Sequence, residues 1–314
     1  MHITGLYRYP VKGFSPERLD LVQIQRGEGF PIDRKYGLLR TQVDFDPTAP
    51  EWLAKANFVM LMLHERIAAL KTRYIDQDRA FVIRTQGNQE HRFVLDSAEG
   101  RRALENFMQN FMPEVLHTAP RLVEAEGHQF TDKAAKYISL INFASLRELE
   151  SRWGEQLDPL RFRANIYIDG APPFSELEWV GQTIQLGPVL ATVSQRNGRC
   201  AATNVNPNTG IRDRNIPGKL RSDFGHKDLG VYLTAAQDGV LRPGDPVSLL
   251  SAHTGTSSTT NTTIPADSKL MCTACYYLFD PRKLNPSWVN AQDLPESWRC
   301  PDCGSSRDRV QSTN

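Results

Sequence analysis

Apolar and polar positions alternate along most of the first 250 residues, and two segments switch to a helical period. Residues 19–25 read Leu-Asp-Leu-Val-Gln-Ile-Gln, the pattern of a half-buried strand. Short apolar runs at 36–40 and 81–84 predict further strands, and those at 165–169 and 189–193 predict core strands. Ser97 precedes a helix-forming run over 98–111, with Pro113 just beyond it, a cap and a stop. Residues 142–153 carry Phe143, Leu146, Leu149 and Trp153 on one helical face. Asp169-Gly170, Asn197-Gly198 and Pro243-Gly244-Asp245 predict turns. No internal repeat is visible. The fold class expected is α+β and β-rich, with a barrel-like body in two closely joined parts.

The patterning stops at residue 251. Residues 251–268 are rich in Ser and Thr, almost uncharged and without apolar periodicity, which predicts a linker. Such a coil reaches roughly 20–25 Å, so a module hung on it would swing yet stay near its host. The domains expected are 1–125, 126–250, the linker 251–268 and a small C-terminal module 269–314.

Composition adds exclusions. The 314 residues carry 37 Lys and Arg against 36 Asp and Glu, so nothing pulls the chain globally toward nucleic acid or a membrane surface. No apolar run reaches the ~18 residues of a membrane helix. The first ten residues show no cationic stretch followed by an apolar run, so no signal peptide is expected. Of five cysteines, four form Cys272-x-x-Cys275 and Cys300-x-x-Cys303. Thiolates two residues apart reach one ion from a tight turn, and four complete a tetrahedral site suited to iron or zinc. An odd count with four at metal spacing argues against disulfides and for a reducing cytoplasm. Cys200 stands apart, behind Arg199. A thiol among cations suits a nucleophile or a soft-metal ligand, although a solitary cysteine is more often an inert core residue. Residues 196–221 hold six basic side chains and one acid, Asp213, a balance that suits an anionic ligand.

The C-terminal segment extends beyond its cysteines. Tyr277, Phe279, Asp280 and Pro281 follow the first pair, and Asp293-Leu-Pro295 and Trp298 precede the second. Over 269–310 this resembles rubredoxin. The resemblance implies one iron held by Cys272, Cys275, Cys300 and Cys303, with a structural zinc ribbon as the alternative. Tyr277, Phe279 and Trp298 would form the core of a module too small to fold without its metal. Tyr276 stands where rubredoxins usually have glycine, and Gly304 is placed to take the positive φ that points N–H groups at the sulfurs.

The body carries a second resemblance. The opening Tyr9-Pro-Val-Lys12-Gly13, Asp33-Arg34, Ser139 to Asn142, Arg161-Phe-Arg163-Ala-Asn165 and Arg199-Cys200-Ala-Ala-Thr203 occur in the order found in MOSC-domain proteins. These include the mitochondrial amidoxime reducing component and bacterial hydroxylaminopurine reductases. The resemblance implies an N-terminal MOSC β-barrel domain, a MOSC domain and a molybdenum–molybdopterin cofactor. Lys12 and Arg34 would grip the pterin phosphate. Ser139, Asn142, Arg163, Asn165, Arg199 and Thr203 would complete the binding site, and Cys200 would ligate molybdenum as the catalytic thiolate. Gly13 and Ala164 replace a usual serine and proline.

The activity so implied is reduction of N-hydroxylated compounds (hydroxylamines, amidoximes, hydroxylaminopurines) to amines and water. Electrons would pass from an NAD(P)H-dependent reductase through the rubredoxin-like iron, with no nucleic acid polymer or membrane as partner. The rival reading is a carrier of molybdenum cofactor or sulfur with a zinc ribbon, in which Cys200 bears a persulfide.

Overall fold

The computed structural model describes residues 1–40, 43–250, 270–273, 277–300 and 305–312. Its centre is an eight-stranded sheet in the order Val247–Leu250, Thr183–Leu186, Val189–Gly198, Asp228–Ala235, Ile138–Asn142, Ile166–Asp169, His2–Arg8, Glu17–Leu19. Neighbours pair antiparallel except Ile138–Asn142 with Ile166–Asp169, which are parallel. A parallel pair needs a crossover. Helix α2, Phe143–Trp153, supplies it.

The sheet closes on itself. Ile3 N donates to Asp245 O at 2.9 Å, Gly244 N to Ile3 O at 2.7 Å and Val247 N to Met1 O at 2.9 Å. Closure removes the open edges. It encloses a core that includes Leu6, Leu140, Ile166, Val193 and Leu233. The strand His2–Arg8 thus belongs by pairing to the barrel that the second half of the body builds. The fold is β-rich α+β, as the alternation predicts.

The rest of the first part is smaller sheets. Lys71–Ile75, Ala80–Arg84 and Glu90–Val94 form an antiparallel meander, and Gly37–Leu39 pairs with Arg121–Val123. Helix α1, Ala98–Phe111, buries Leu104 and Met108 in the same core as Tyr36, Leu38 and Phe81. Ser97 caps it, its Oγ accepting from Gly100 N at 3.0 Å. In α2 the cap is Asn142, whose Oδ1 accepts from Ala144 N at 3.1 Å.

Two expectations are corrected and one element is added. Residues 19–25 do not form one strand. They divide between Glu17–Leu19, which pairs with His2–Arg8, and Val22–Ile24, which pairs with Gly239–Leu241. The alternation slips by one at the break, where exposed Leu21 stands beside buried Val22. Asn197-Gly198 is no turn, since Gly198 ends a strand and pairs with Asp228 across a register shift. Helix α3, Ile216–Phe224, was not anticipated, although Asn215 caps it, Pro217 lies in its first turn and Gly225 ends it in the left-handed region.

In the C-terminal segment Leu270–Cys272 pairs with Leu278–Phe279 and with Val310–Ser312. Tyr277 stacks on Phe279 and Phe279 on Trp298, with ring centroids 5.7 and 5.2 Å apart. The linker 251–268, Thr41 and Gln42, Cys275, Tyr276, Cys303 and Gly304 lie outside the described residues. Among the described residues no helix is long and apolar enough to cross a membrane.

Replacing Ser97 by Ala removes an acceptor from the first turn of α1. The expected loss is about 1 kcal/mol. It should appear as a lower urea midpoint at unchanged m-value.

Candidate functional site

Where the barrel meets the first part there is a cavity of about 390 Å³. Its wall includes Lys12, Arg34, Ser139, Arg163, Asn165, Arg199, Cys200 and Thr203. Eight of the nine body residues singled out from sequence are therefore brought together from segments far apart in the chain. The ninth, Asn142, is not on that wall. It is fully buried, caps α2, and donates through Nδ2 to Ala171 O, Pro172 O and Glu176 Oε2. A side chain so engaged is a structural staple.

Charge is the cavity's main property. Lys12, Arg34, Lys55, Lys133, Arg161, Arg163, Arg199 and Lys227 line it, against two carboxylates, Asp33 and Asp132. Tyr9 organises two of the cations. Its ring is fully buried, with the guanidinium carbons of Arg34 and Arg163 at 4.2 and 4.3 Å from its centroid. Both arginines adopt left-handed backbone, at φ 47° and 53°. That conformation costs on the order of 1 kcal/mol or more for a residue with a Cβ. Backbone contacts oppose the cost: Arg34 N donates to Tyr9 O at 2.7 Å, and Arg163 Nη1 donates to Phe14 O at 2.8 Å.

Burial sets the titration of this wall. It lowers the Arg163 guanidinium to about 10 and raises the Tyr9 hydroxyl to about 12. For Arg34, burial works against the charge, but Asp33, Tyr9 and Asp132 together more than offset it and the guanidinium is raised. Asp33 also accepts from Tyr9 N at 2.8 Å. Burial lowers the Lys12 ammonium, which donates to Phe130 O at 2.9 Å and pairs with Asp132. Burial would raise the Asp132 carboxyl, yet Lys12 and Lys55 hold it well below the usual carboxylate range.

The remaining wall residues divide into braces and faces. Arg199 is buried and donates to Leu229 O and, at 2.9 Å, to Phe162 O, so it pins the cysteine loop to the barrel. Ser139 Oγ donates to Asn165 Oδ1 at 2.8 Å, and Asn165 N donates back to Ser139 Oγ at 3.0 Å. Cys200 is half-buried and precedes the 3₁₀ turn Ala201–Asn204. Its carbonyl accepts from Thr203 N at 3.1 Å and Thr203 Oγ1 at 2.9 Å. Thr203 thus fixes the turn that presents the cysteine.

Sequence reasoning missed Lys55, Asp132, Arg161 and the tyrosine pair Tyr137 and Tyr232, stacked with centroids 5.4 Å apart. Arg161 had been quoted only as part of a motif. It pairs with Asp213 at 2.7 Å, while its buried Nε has no hydrogen-bond partner among the described residues. Only three-dimensional closure shows Lys55, which sits in an otherwise unremarkable 3₁₀ turn, Lys55–Asn57.

In the C-terminal segment Cys272 and Cys300 are buried. Cys272 N donates to Tyr277 O at 2.9 Å and Cys300 N to Ser305 O at 2.8 Å. Cys272 and Cys300 thus share one apolar core, and Cys275 and Cys303 lie outside the described residues. Among those described, no group of three His, Cys, Asp or Glu is placed to hold a metal.

Residues 125–248 match the family model of the MOSC domain, and residues 269–310 match that of rubredoxin. The chain carries a MOSC domain and a rubredoxin domain. Curated relatives include mitochondrial amidoxime-reducing component 1 of Xenopus laevis, 30% identical over 41% of this chain and 42% of the relative. The Homo sapiens protein of the same name is 24% identical over 47% of this chain and 50% of the relative. Component 2 of Rattus norvegicus is 32% identical over 35% and 36%. The chain thus spans half or less of the length of these relatives. Among solved structures, the YUAD protein from Bacillus subtilis is similar at 14% identity and a TM-score of 0.37, covering 78% of this chain and 92% of that one.

The cavity allows a test of fit to a molybdenum cofactor. An anionic phosphate finds an excess of buried cations and one unpartnered buried N–H. The polar edges of a pterin find Ser139, Asn165 and Asn197, and its metal a thiol. The residues present fit the group.

If Asn142 is a staple, Asn142→Ala should cost about 1–3 kcal/mol by stranding the α2 N-terminus and Glu176. Thermal unfolding should register that loss while pterin content per folded chain stays at the wild-type level.

Proposed function

We propose that the chain is a molybdenum-cofactor-dependent reductase of N-hydroxylated compounds, supplied with electrons through its rubredoxin domain. The observation that carries this reading is the cationic cavity with Cys200 on its wall, in a chain that joins a MOSC domain to rubredoxin. The names of the relatives support the substrate class.

Lys12, Arg34, Lys55, Arg161 and Arg163 would hold the pterin phosphate, the arginines as planar forks that match its oxygens. Ser139 and Asn165 would meet the pterin edges, Arg199 and Thr203 would hold the Cys200 loop in place, and Cys200 would supply the protein thiolate. When bound, the cofactor supplies the electron pair that cleaves the N–O bond. The balance is R–NH–OH plus two electrons and two protons, giving R–NH2 and water. Fixed cations around the cavity favour negative charge developing on the departing oxygen, and they do so without reorganising. Partial enclosure strengthens each of these interactions.

In the rubredoxin domain, Cys272, Cys275, Cys300 and Cys303 would hold one iron. Such a site passes one electron at a time, so each turnover needs two deliveries. The donor on this reading is an NAD(P)H-dependent reductase in the cytoplasm, and tethering replaces a separate carrier by effective concentration.

Cofactor retention tests the cation wall. Arg34→Ala and Lys12→Ala each remove a charge-assisted contact of about 1.5–3 kcal/mol, so purified protein should lose most of its pterin. Wild-type pterin content in both variants would show the phosphate seat to lie elsewhere.

A second test separates the two domains. Cys200→Ala should abolish hydroxylamine reduction with every donor. Deleting residues 251–314 should abolish turnover with the protein reductase yet retain it with a small reduced viologen, which reaches the cavity directly. Activity in Cys200→Ala, or a truncated protein equally dead with viologen at normal molybdenum content, sinks the scheme.

A further inference from the structure

The rubredoxin domain is not isolated from the body. One contiguous apolar cluster runs from Leu39, Phe45, Phe58, Met60 and Met62 to Phe279, Leu294 and Trp298. Cys200, Ala202 and Tyr277 pack against the same cluster. Tyr277 also lines the cavity, together with Met60, Met62, Ala202 and Cys200. A rubredoxin side chain is therefore part of the wall of the cavity built by the body.

The chemistry of the patch fits such a role. Met60 and Met62 are buried, unbranched and polarizable, so they adapt to an aromatic neighbour. Phe45, Phe58, Met60 and Met62 share their cluster with Phe279, Leu294 and Trp298, and Met60 and Met62 also line the cavity; a soluble surface rarely leaves so large an apolar patch open. The chain supplies a cover of matching character, since Tyr277 stacks on Phe279 with ring centroids 5.7 Å apart and also packs against this cluster.

We propose that the patch of Phe45, Phe58, Met60 and Met62 is a docking seat for the chain's own rubredoxin domain, and that Tyr277 thereby completes the cavity wall. The domain is then a lid as well as an electron source. The expected picture of a module swinging on its linker is replaced by a docked one. The lid function rests on the proposed reading of the cavity, whereas the docking itself does not.

Hydrogen exchange of the full-length, metal-loaded protein tests the seat without any turnover. In Tyr277→Asp, amides of residues 58–63 and 201–204 should exchange about tenfold faster than in wild type, because opening there no longer requires displacing an apolar partner. The absorption of the four-thiolate site should stay unchanged, showing that the rubredoxin domain itself is folded. From the other side, Met62→Asp should speed exchange at residues 277–279 by a similar factor. Unchanged exchange in both variants overturns the proposal. So does protection that depends on protein concentration, which would place the domain on a second copy of the chain. Loss of N-hydroxyl reduction alone would bear on the functional reading and leave this result standing.

Discussion

The cavity depends on holding like charges together out of water. Arg34, Arg163, Arg161, Arg199, Lys12 and Lys55 all line one space, and left to themselves they would repel and unfold its wall. The protein answers with neutral partners as well as with the counter-charges of Asp33, Asp132 and Asp213. Tyr9 offers its ring to two guanidiniums, and the carbonyls of Phe14, Phe130, Phe162 and Leu229 accept from Arg163, Lys12 and Arg199. Carbonyls satisfy the donors without cancelling the field, so the wall stays cationic and ready for an anion. Asp33 and Asp132 reduce the excess but do not remove it.

That arrangement explains the division of labour on the wall. Arg199 spends its hydrogen bonds on the barrel, so it acts as a brace for the residues beside it. Cys200 follows directly on Arg199, and Thr203 closes its turn, so the thiol is positioned by backbone contacts on both sides.

Much of this was legible in the sequence where local rules apply. Ser97 and Asn142 announced their helices because capping is a matter of a few adjacent residues. The short apolar runs at 165–169 and 189–193 announced core strands because β-branched and aromatic residues bounded by turn residues favour a pleated, buried segment. Motif order brought Lys12, Arg34, Arg163 and Cys200 into one site before any geometry was seen. Lys55 and Asp132 were not legible, because their roles come from contacts between segments about 77 to 120 residues apart in the chain. Asn142 was misplaced for the same reason in reverse: its motif lies beside the cavity strand, but its side chain is consumed by the helix it caps. The break within 19–25 was hidden because apolar Leu21 reads as one more inward position, although it is exposed between two short strands with different partners.

The strand His2–Arg8 has a consequence for how the molecule is made. It pairs with Ile166–Asp169 and is fastened to residues 244–247, so the barrel shuts only when segments about 160 to 240 residues apart in the chain have met. Such long-range pairing slows folding, since the chain between must be ordered first. Until then the edge of Ile166–Asp169 is an unpaired template open to other chains. The span matched as the MOSC domain is accordingly not a self-sufficient unit. Expressed from residue 125 onward it would lack a stave of its barrel, and adding residues 1–20 as a separate peptide is the minimal repair.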